Sequence, residues 1–166
     1  LATSEKNTGV ALQAREIAVK AGAEVALTLS DASILSPFRS AFESFIGKGV
    51  EILFCNEQEC LNWSGTDRID LAITEMRDFA KEIYITLGAK GSIVISSAGV
   101  EEVGTDQVVA VDTNGAGDMY AGACLFARTQ KMTPKECAFF ANKCAGAIVQ
   151  EYGARFSSVT EYRELI

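Results

Sequence analysis

The 166-residue chain contains no histidine. That absence removes imidazole acid/base catalysis, serine–histidine triads and every histidine-containing metal site. Its five cysteines, Cys55, Cys60, Cys124, Cys137 and Cys144, are odd in number and form no Cys-x-x-Cys pair. Neither a disulfide framework nor a thiolate zinc cluster is therefore expected. Most of these thiols sit in apolar company, as core cysteines do in a reducing cytoplasm, and residence there is the expectation. No apolar run approaches the roughly twenty residues that a membrane-spanning helix needs. A dinucleotide-binding oxidoreductase would carry Gly-x-Gly-x-x-Gly directly after an early strand. After Leu29 this chain reads Ser-Asp-Ala-Ser instead.

What is present has the balance of a soluble globular protein, with 48% hydrophobic and 22% charged residues. The length is that of one ordinary domain, residues 1–166, without internal repeat, low-complexity tract or long linker. A net charge of −7 argues against nucleic acid or an anionic membrane as the main partner. The chain opens on Leu1-Ala2-Thr3-Ser4, with helix and strand signals soon after. It is expected to be the later part of a longer protein.

Hydrophobic spacing predicts the elements. Val10, Ala14, Ile17 and Ala21 recur at helical spacing up to Gly22, and Val25–Leu29 reads as a buried strand. Residues 34–46 carry a second helical pattern. Glu51–Cys55 is a strand, and Ile69, Ile73, Met76 and Ala80 mark the helix after it. Ile83–Leu87 is the next strand, and Ser92–Ser96 with Val100–Val103 form a hairpin across Ser97-Ala98-Gly99. Thr133-Pro134-Lys135-Glu136 fits a capping box, with proline at the first position of a long helix. This rhythm of strand and helix predicts an α/β sandwich with a largely parallel sheet.

The richest stretch is Asp112-Thr113-Asn114-Gly115-Ala116-Gly117-Asp118. The apolar run Val108–Val111 enters it as a strand end, and a helix-like run leaves it from Met119 onward. Two glycines let the backbone turn tightly and let a ligand approach, and unpaired N–H groups at a helix start favour an anion. Asp118 would repel a phosphate inside such a cradle, so it fits better as a group handling a proton beside it. The combination suggests phosphoryl transfer. The plain alternative is a glycine-shaped turn with an acid in the first helical turn.

These seven residues resemble, position by position, the DTxGAGD signature near the C-terminus of the PfkB (ribokinase and adenosine kinase) family of carbohydrate and nucleoside kinases. Two further segments resemble family motifs in the family's order. Asn56-Glu57-Gln58-Glu59 is similar to N-x-x-E, which helps place magnesium and phosphate, often through water; read alone it is an asparagine-capped helix with early acids. Thr86-Leu87-Gly88-Ala89-Lys90-Gly91 is similar to the T-x-G-x-x-G segment that lines nucleotide phosphates; read alone it is a glycine turn.

The resemblance implies a ribokinase-like three-layer α/β/α sandwich whose N-terminal part and lid are missing. It implies ATP and Mg2+ as cofactors and a sugar or nucleoside hydroxyl as acceptor, with a homodimer as a further partner state. Asp118 would be the general base, and the N–H groups of Gly115, Ala116 and Gly117 the anion cradle. Thr86, Gly88, Gly91, Asn56 and Glu59 would line the nucleotide, Glu59 holding magnesium through water. Asn142 aligns with a position beside the adenine base; otherwise it is a solvated helix residue. Asp112, with Asn114, would hold a monovalent cation such as K+ together with the segment Tyr152-Gly153-Ala154-Arg155. Thr28-Leu29-Ser30-Asp31 and Asn114 resemble the adenosine-kinase-like branch. A non-catalytic nucleotide-binding module keeping the same glycines is the rival reading.

Overall fold

Ser4 opens helix α1 (Glu5–Lys20) by accepting from the Asn7 N–H at 3.2 Å. The computed structural model describes residues 4–166, so the expectation drawn from Leu1-Ala2-Thr3 lies outside the described residues. The elements that follow are β1 (Ala26–Thr28), α2 (Ala32–Ile46), β2 (Val50–Asn56), α3 (Glu57–Ser64), α4 (Ile69–Met76) and β3 (Ala80–Thr86). Then come a short 3-10 turn (Gly88–Lys90), β4 (Ser92–Ser96), β5 (Gly99–Val103), α5 (Ala116–Thr129), α6 (Pro134–Ile148) and α7 (Val159–Arg163). The strands follow one another through a mixed sheet in the order β1-β2-β3-β4-β5. β1 and β2 run parallel, with Leu27 opposite Leu53. No helix among the described residues is long and apolar enough to cross a membrane.

By contact the chain divides into two compact units, Leu1–Ile85 with Ile95–Gly99, and Thr86–Val94 with Val100–Ile166. In the first, β2 is buried along almost its whole length, as a strand covered on both faces must be. Trp63 anchors an aromatic cluster, with ring centroids 6.3 Å from Phe42 and 5.6 Å from Phe79. The Arg39 guanidinium lies 4.7 Å from the Trp63 ring centroid and donates to the Trp63 carbonyl at 2.6 Å. Arg15 donates to the carbonyls of Ile46 and Gly49, satisfying acceptors where α2 ends.

Several expectations in this unit change. β1 is a three-residue strand at the end of the sheet order, and only its flanks Val25 and Leu29 are buried; with one strand neighbour, Ala26 and Thr28 stay exposed. The stripe Val10, Ala14, Ile17 and Ala21 faces outward, with Val10 56% and Ile17 69% exposed, while Ala11 is the buried residue of α1. Pro37 sits inside α2, where Phe38 leaves helical geometry at φ −116°, ψ 17°. Ala80 begins β3 and does not end a helix, because α4 stops at Met76.

In the second unit, α5 and α6 pack together through Tyr120, Ala123, Cys124 and Ala127 on one and Cys137, Ala138, Ala141 and Cys144 on the other, all buried. The Thr133–Glu136 capping box forms as read, with Thr133 Oγ1 and the Glu136 carboxylate satisfying each other's backbone N–H. All five cysteines are free and buried. Helix α7 was not anticipated: Ser158 caps it, but it is too short to show a helical period.

The two faces of the first unit set contrasting mutational costs. Phe42→Ala is expected to cost about 3–5 kcal/mol of stability in denaturant unfolding. Ile17→Lys should change stability by less than about 0.5 kcal/mol in the same measurement.

Candidate functional site

Gly115 is the N-cap of α5 and takes φ 78°, a conformation that disfavours a side chain. A Cβ there would lie 2.7 Å from atoms of Ala154, so close backbone approach demands glycine a second time. The Thr113 carbonyl accepts the Ala116 N–H at 3.3 Å, and the Gly115 carbonyl accepts that of Met119 at 2.8 Å. The N–H groups of Gly115, Gly117 and Asp118 take no acceptor among the described residues. The open donors therefore differ from the expected trio: Ala116's N–H is engaged in the turn, and Asp118's backbone N–H is open in its place. Gly117 has no positive φ, and a Cβ there would meet nothing within 4 Å, so any strain in this turn belongs to Gly115.

A cavity of about 240 Å3 adjoins the turn, wholly within the second unit. It gathers six of the residues singled out in the sequence: Thr86, Gly88, Gly91, Ala116, Gly117 and Asn142. Asp118 stands on the wall of a second cavity of about 510 Å3, with Met119, Phe126, Phe140, Arg155 and Tyr162. Asp118 is exposed. The first turn of α5 thus separates the two spaces, Gly117 opening on one and the Asp118 carboxylate on the other.

Sequence reasoning missed other walls of the smaller cavity: Thr105, Asp106, Val108, Ala110, Thr113, Tyr120, Ala145, Gly146 and Val149. The run 108–111 is not a strand. It is irregular and exposed, tied to α6 where Val111 and Asp112 donate to the Val149 carbonyl at 2.7 and 3.2 Å. Val108 and Ala110 line the cavity while Val109 is 83% exposed. An apolar run outside any element was the available signal. Tyr120 is buried and donates to Ser92 Oγ at 2.9 Å; burial pushes its phenol well above the ordinary value.

Gly91 has φ 97°, and a Cβ there would fall 2.1 Å from the Val103 carbonyl oxygen. Glycine is thus required there for chain packing. Asn142 is not solvated: it is 6% exposed, and its amide nitrogen donates to the carbonyls of Val103 at 3.0 Å and Gly104 at 3.2 Å. Gln107 donates to the Ala89 carbonyl at 2.8 Å, closing the loop onto the glycine turn.

Asp112 accepts the N–H of Asn114 on one oxygen at 2.9 Å and that of Gly153 on the other at 3.0 Å. These two bonds hold its carboxyl below the ordinary aspartate value. The segment around Gly153 is thereby brought to the motif's first residue.

Asn56 and Glu59 lie in the first unit and form a complete capping box on α3. Glu59 accepts the Asn56 backbone N–H at 3.0 Å and its side-chain amide at 2.8 Å, while Asn56 Oδ1 accepts the Glu59 N–H at 2.8 Å. Glu59 is buried, which pushes its carboxyl up against the lowering effect of the Asn56 N–H; the charge of Asp31 raises it further. Among the described residues no group of three or more Asp, Glu or Cys is placed to hold a metal ion.

Comparison with known proteins decides the family. Residues 2–161 match the pfkB family carbohydrate kinases. The chain belongs to this family. Ribokinase of Arabidopsis thaliana is 25% identical over 162 residues, covering 90% of this chain and 43% of that protein. The crystal structure of adenosine kinase from Sinorhizobium meliloti is 34% identical, with a TM-score of 0.87 over 95% of this chain and 49% of that one. Fructokinase from Vibrio cholerae, solved with fructose, ADP and calcium, shares the fold at 22% identity and a TM-score of 0.82, over 100% and 58%. This PfkB chain therefore has the ribokinase-like α/β fold and spans 43% to 58% of the length of these relatives.

Adding a methyl group at either constrained glycine tests the packing. Gly91→Ala and Gly115→Ala should each lose at least about 2 kcal/mol, from overpacking and backbone strain together, readable by thermal unfolding. Asp112 sets a pH dependence. Because its folded-state pKa is depressed, its contribution is present above the ordinary aspartate pKa of 3.8 and lost as pH falls through the lowered folded value. The stability gap between the native chain and Asp112→Asn should be constant near neutrality and close under acid. A gap that widens on acidification would contradict this.

Proposed function

We propose that residues 1–166 act as the nucleotide-binding portion of an ATP-dependent kinase that transfers the γ-phosphoryl group to a hydroxyl of a sugar or nucleoside. The observation that carries this reading is the set of unpaired N–H groups at Gly115, Gly117 and Asp118, opening α5 beside the 240 Å3 cavity. A helix start with free donors stabilises negative charge without reorganising, which is most effective where charge develops in a transition state. Against a net charge of −7, such local donors must do the attracting.

In this reading Gly88, Gly91 and Gly117 let the phosphates approach the backbone, and Thr86 offers a hydroxyl. The acceptor hydroxyl comes to the first turn of α5 from the Asp118 side, opposite the nucleotide cavity. Asp118 takes its proton as the new O–P bond forms. In a loose transition state proton removal comes late, so positioning and electrostatics carry most of the rate. Magnesium would supply charge neutralisation on the β and γ oxygens. Within the first unit, Asn56 and Glu59 are proposed to contribute to magnesium through water. Asp112, kept ionised by its two N–H bonds, and Asn114 are proposed for a monovalent cation.

Asp118→Asn in the complete protein is expected to lower turnover by about two to four orders of magnitude with ATP affinity retained. Steady-state kinetics with candidate sugars and nucleosides, alongside calorimetric ATP binding, checks both halves. Near-native turnover in the variant would remove Asp118 from the mechanism, and a protein that binds ATP but phosphorylates no acceptor would favour the non-catalytic module.

A further inference from the structure

Asn114-Gly115 is the only Asn-Gly step in the chain. The other asparagines, Asn7, Asn56, Asn62 and Asn142, precede Thr8, Glu57, Trp63 and Lys143, each of which carries a Cβ and lies in a helix. After Asn7, Asn62 and Asn142 the next backbone nitrogen is committed to the helical ladder, as the Thr8 N–H is to the Ser4 carbonyl at 2.9 Å. The Asn56 carboxamide is bound at both ends to Glu59 in the α3 capping box.

Asn114 differs on each count. It is exposed and sits outside any helix or strand. The nitrogen that follows it belongs to a glycine, with no Cβ to hinder approach, and its N–H takes no acceptor among the described residues. Asp112 accepts the Asn114 N–H at 2.9 Å, and the Asn114 carboxamide donates to the same carboxylate. The side chain is thus kept at the turn, beside the nitrogen that can reach it.

We infer that Asn114 and Gly115 form a self-modification site, at which the free Gly115 nitrogen attacks the Asn114 carboxamide and converts the asparagine to isoaspartate or aspartate. The bond from the Gly115 nitrogen to Asn114 Cγ forms as the Cγ–Nδ2 bond breaks. The Gly115 N–H proton passes through solvent to the side-chain nitrogen, which leaves as ammonia. Water then opens the cyclic imide, entering at Cγ to give aspartate or at the main-chain carbonyl to give isoaspartate, whose backbone is longer by one methylene. Water is the sole co-reactant, and nothing is oxidised or reduced.

The place gives the change its consequence. Either product sets a new carboxylate at the start of α5, where it competes with an incoming anion for the positive end of the helix. Isoaspartate also displaces Gly115, and the approach of Ala154, 2.7 Å from where a Cβ would stand, leaves no room for a shifted chain. The modification is independent of the kinase reading; its effect on phosphate binding rests on that reading.

The test ages the complete protein without ligand at mildly alkaline pH and follows each asparagine by peptide mass spectrometry. Methyl transfer from S-adenosylmethionine by an isoaspartyl methyltransferase is the probe for isoaspartate. Residue 114 should convert ahead of the other four asparagines, and faster as pH rises, because base removes the Gly115 proton. The fraction of chains that bind ATP in calorimetry should fall in step with the fraction converted. Asn114→Gln should stay unconverted, since its longer side chain closes a less favourable ring, and mass is its readout; if that variant does not fold, the native protein decides alone. Conversion at 114 in the urea-unfolded chain but not in the native one, or earlier conversion of a helical asparagine, would overturn the inference. Conversion without loss of ATP binding would overturn its consequence. A protein that converts but never bound ATP would sink the nucleotide reading and leave the modification standing.

Discussion

The approach of Gly91 to the Val103 carbonyl is the constraint on which the second unit's cavity depends. No side chain fits there, since even a Cβ would lie 2.1 Å from that oxygen. Asn142 then bonds the same carbonyl and its neighbour Gly104. One short backbone segment is thus held by the glycine turn and by α6 together, and the loop that leaves it forms a cavity wall. Loops with little regular structure need such anchors, because their backbone groups find no partners in a ladder. Gln107 on Ala89, and Val111 and Asp112 on Val149, supply the rest.

A second close approach, Gly115 against Ala154, works with the bonds from Asp112 to Asn114 and Gly153. Together they position the first turn of α5 without using the N–H groups of Gly117 and Asp118. A helix start normally has a side-chain cap to satisfy its orphan donors; α1, α2, α3, α6 and α7 all have one. α5 has none. At α5 the uncapped donors adjoin a cavity, and a local rule broken beside a cavity is where function is expected.

Much of the fold was legible because period and punctuation agreed. The stretch from Thr133 announces its own helix with a cap, a proline and a reciprocal glutamate, all local chemistry. β2 and β3 read as strands because their apolar runs are continuous and bounded. Where local pattern misled, it did so by stating amphipathicity without direction. Val10, Ala14 and Ile17 make a helical stripe, yet the structure turns it outward. Val108–Val111 has strand composition, yet the donors of Val111 and Asp112 go to the end of α6 and not to a sheet.

The sequence by itself determined the family and the order of its motifs, because glycine, aspartate and asparagine at fixed spacing are chemical requirements that a short segment expresses alone. The absence of histidine narrowed the chemistry for the same reason. Tertiary structure decided which of those residues meet. That Thr86, Gly88, Gly91, Gly117 and Asn142 share one cavity, while Asp118 looks into another, follows from how a turn, a loop and two helices pack. It also decided which donors remain free, since Ala116 and Gly117 are equivalent on paper and only the turn's geometry assigns one N–H to Thr113 and leaves the other open. The roles of Gly91 and Asn142 were unreadable locally because their partners, Val103 and Gly104, lie 12 or more residues away in the chain and are adjacent only once the chain has folded.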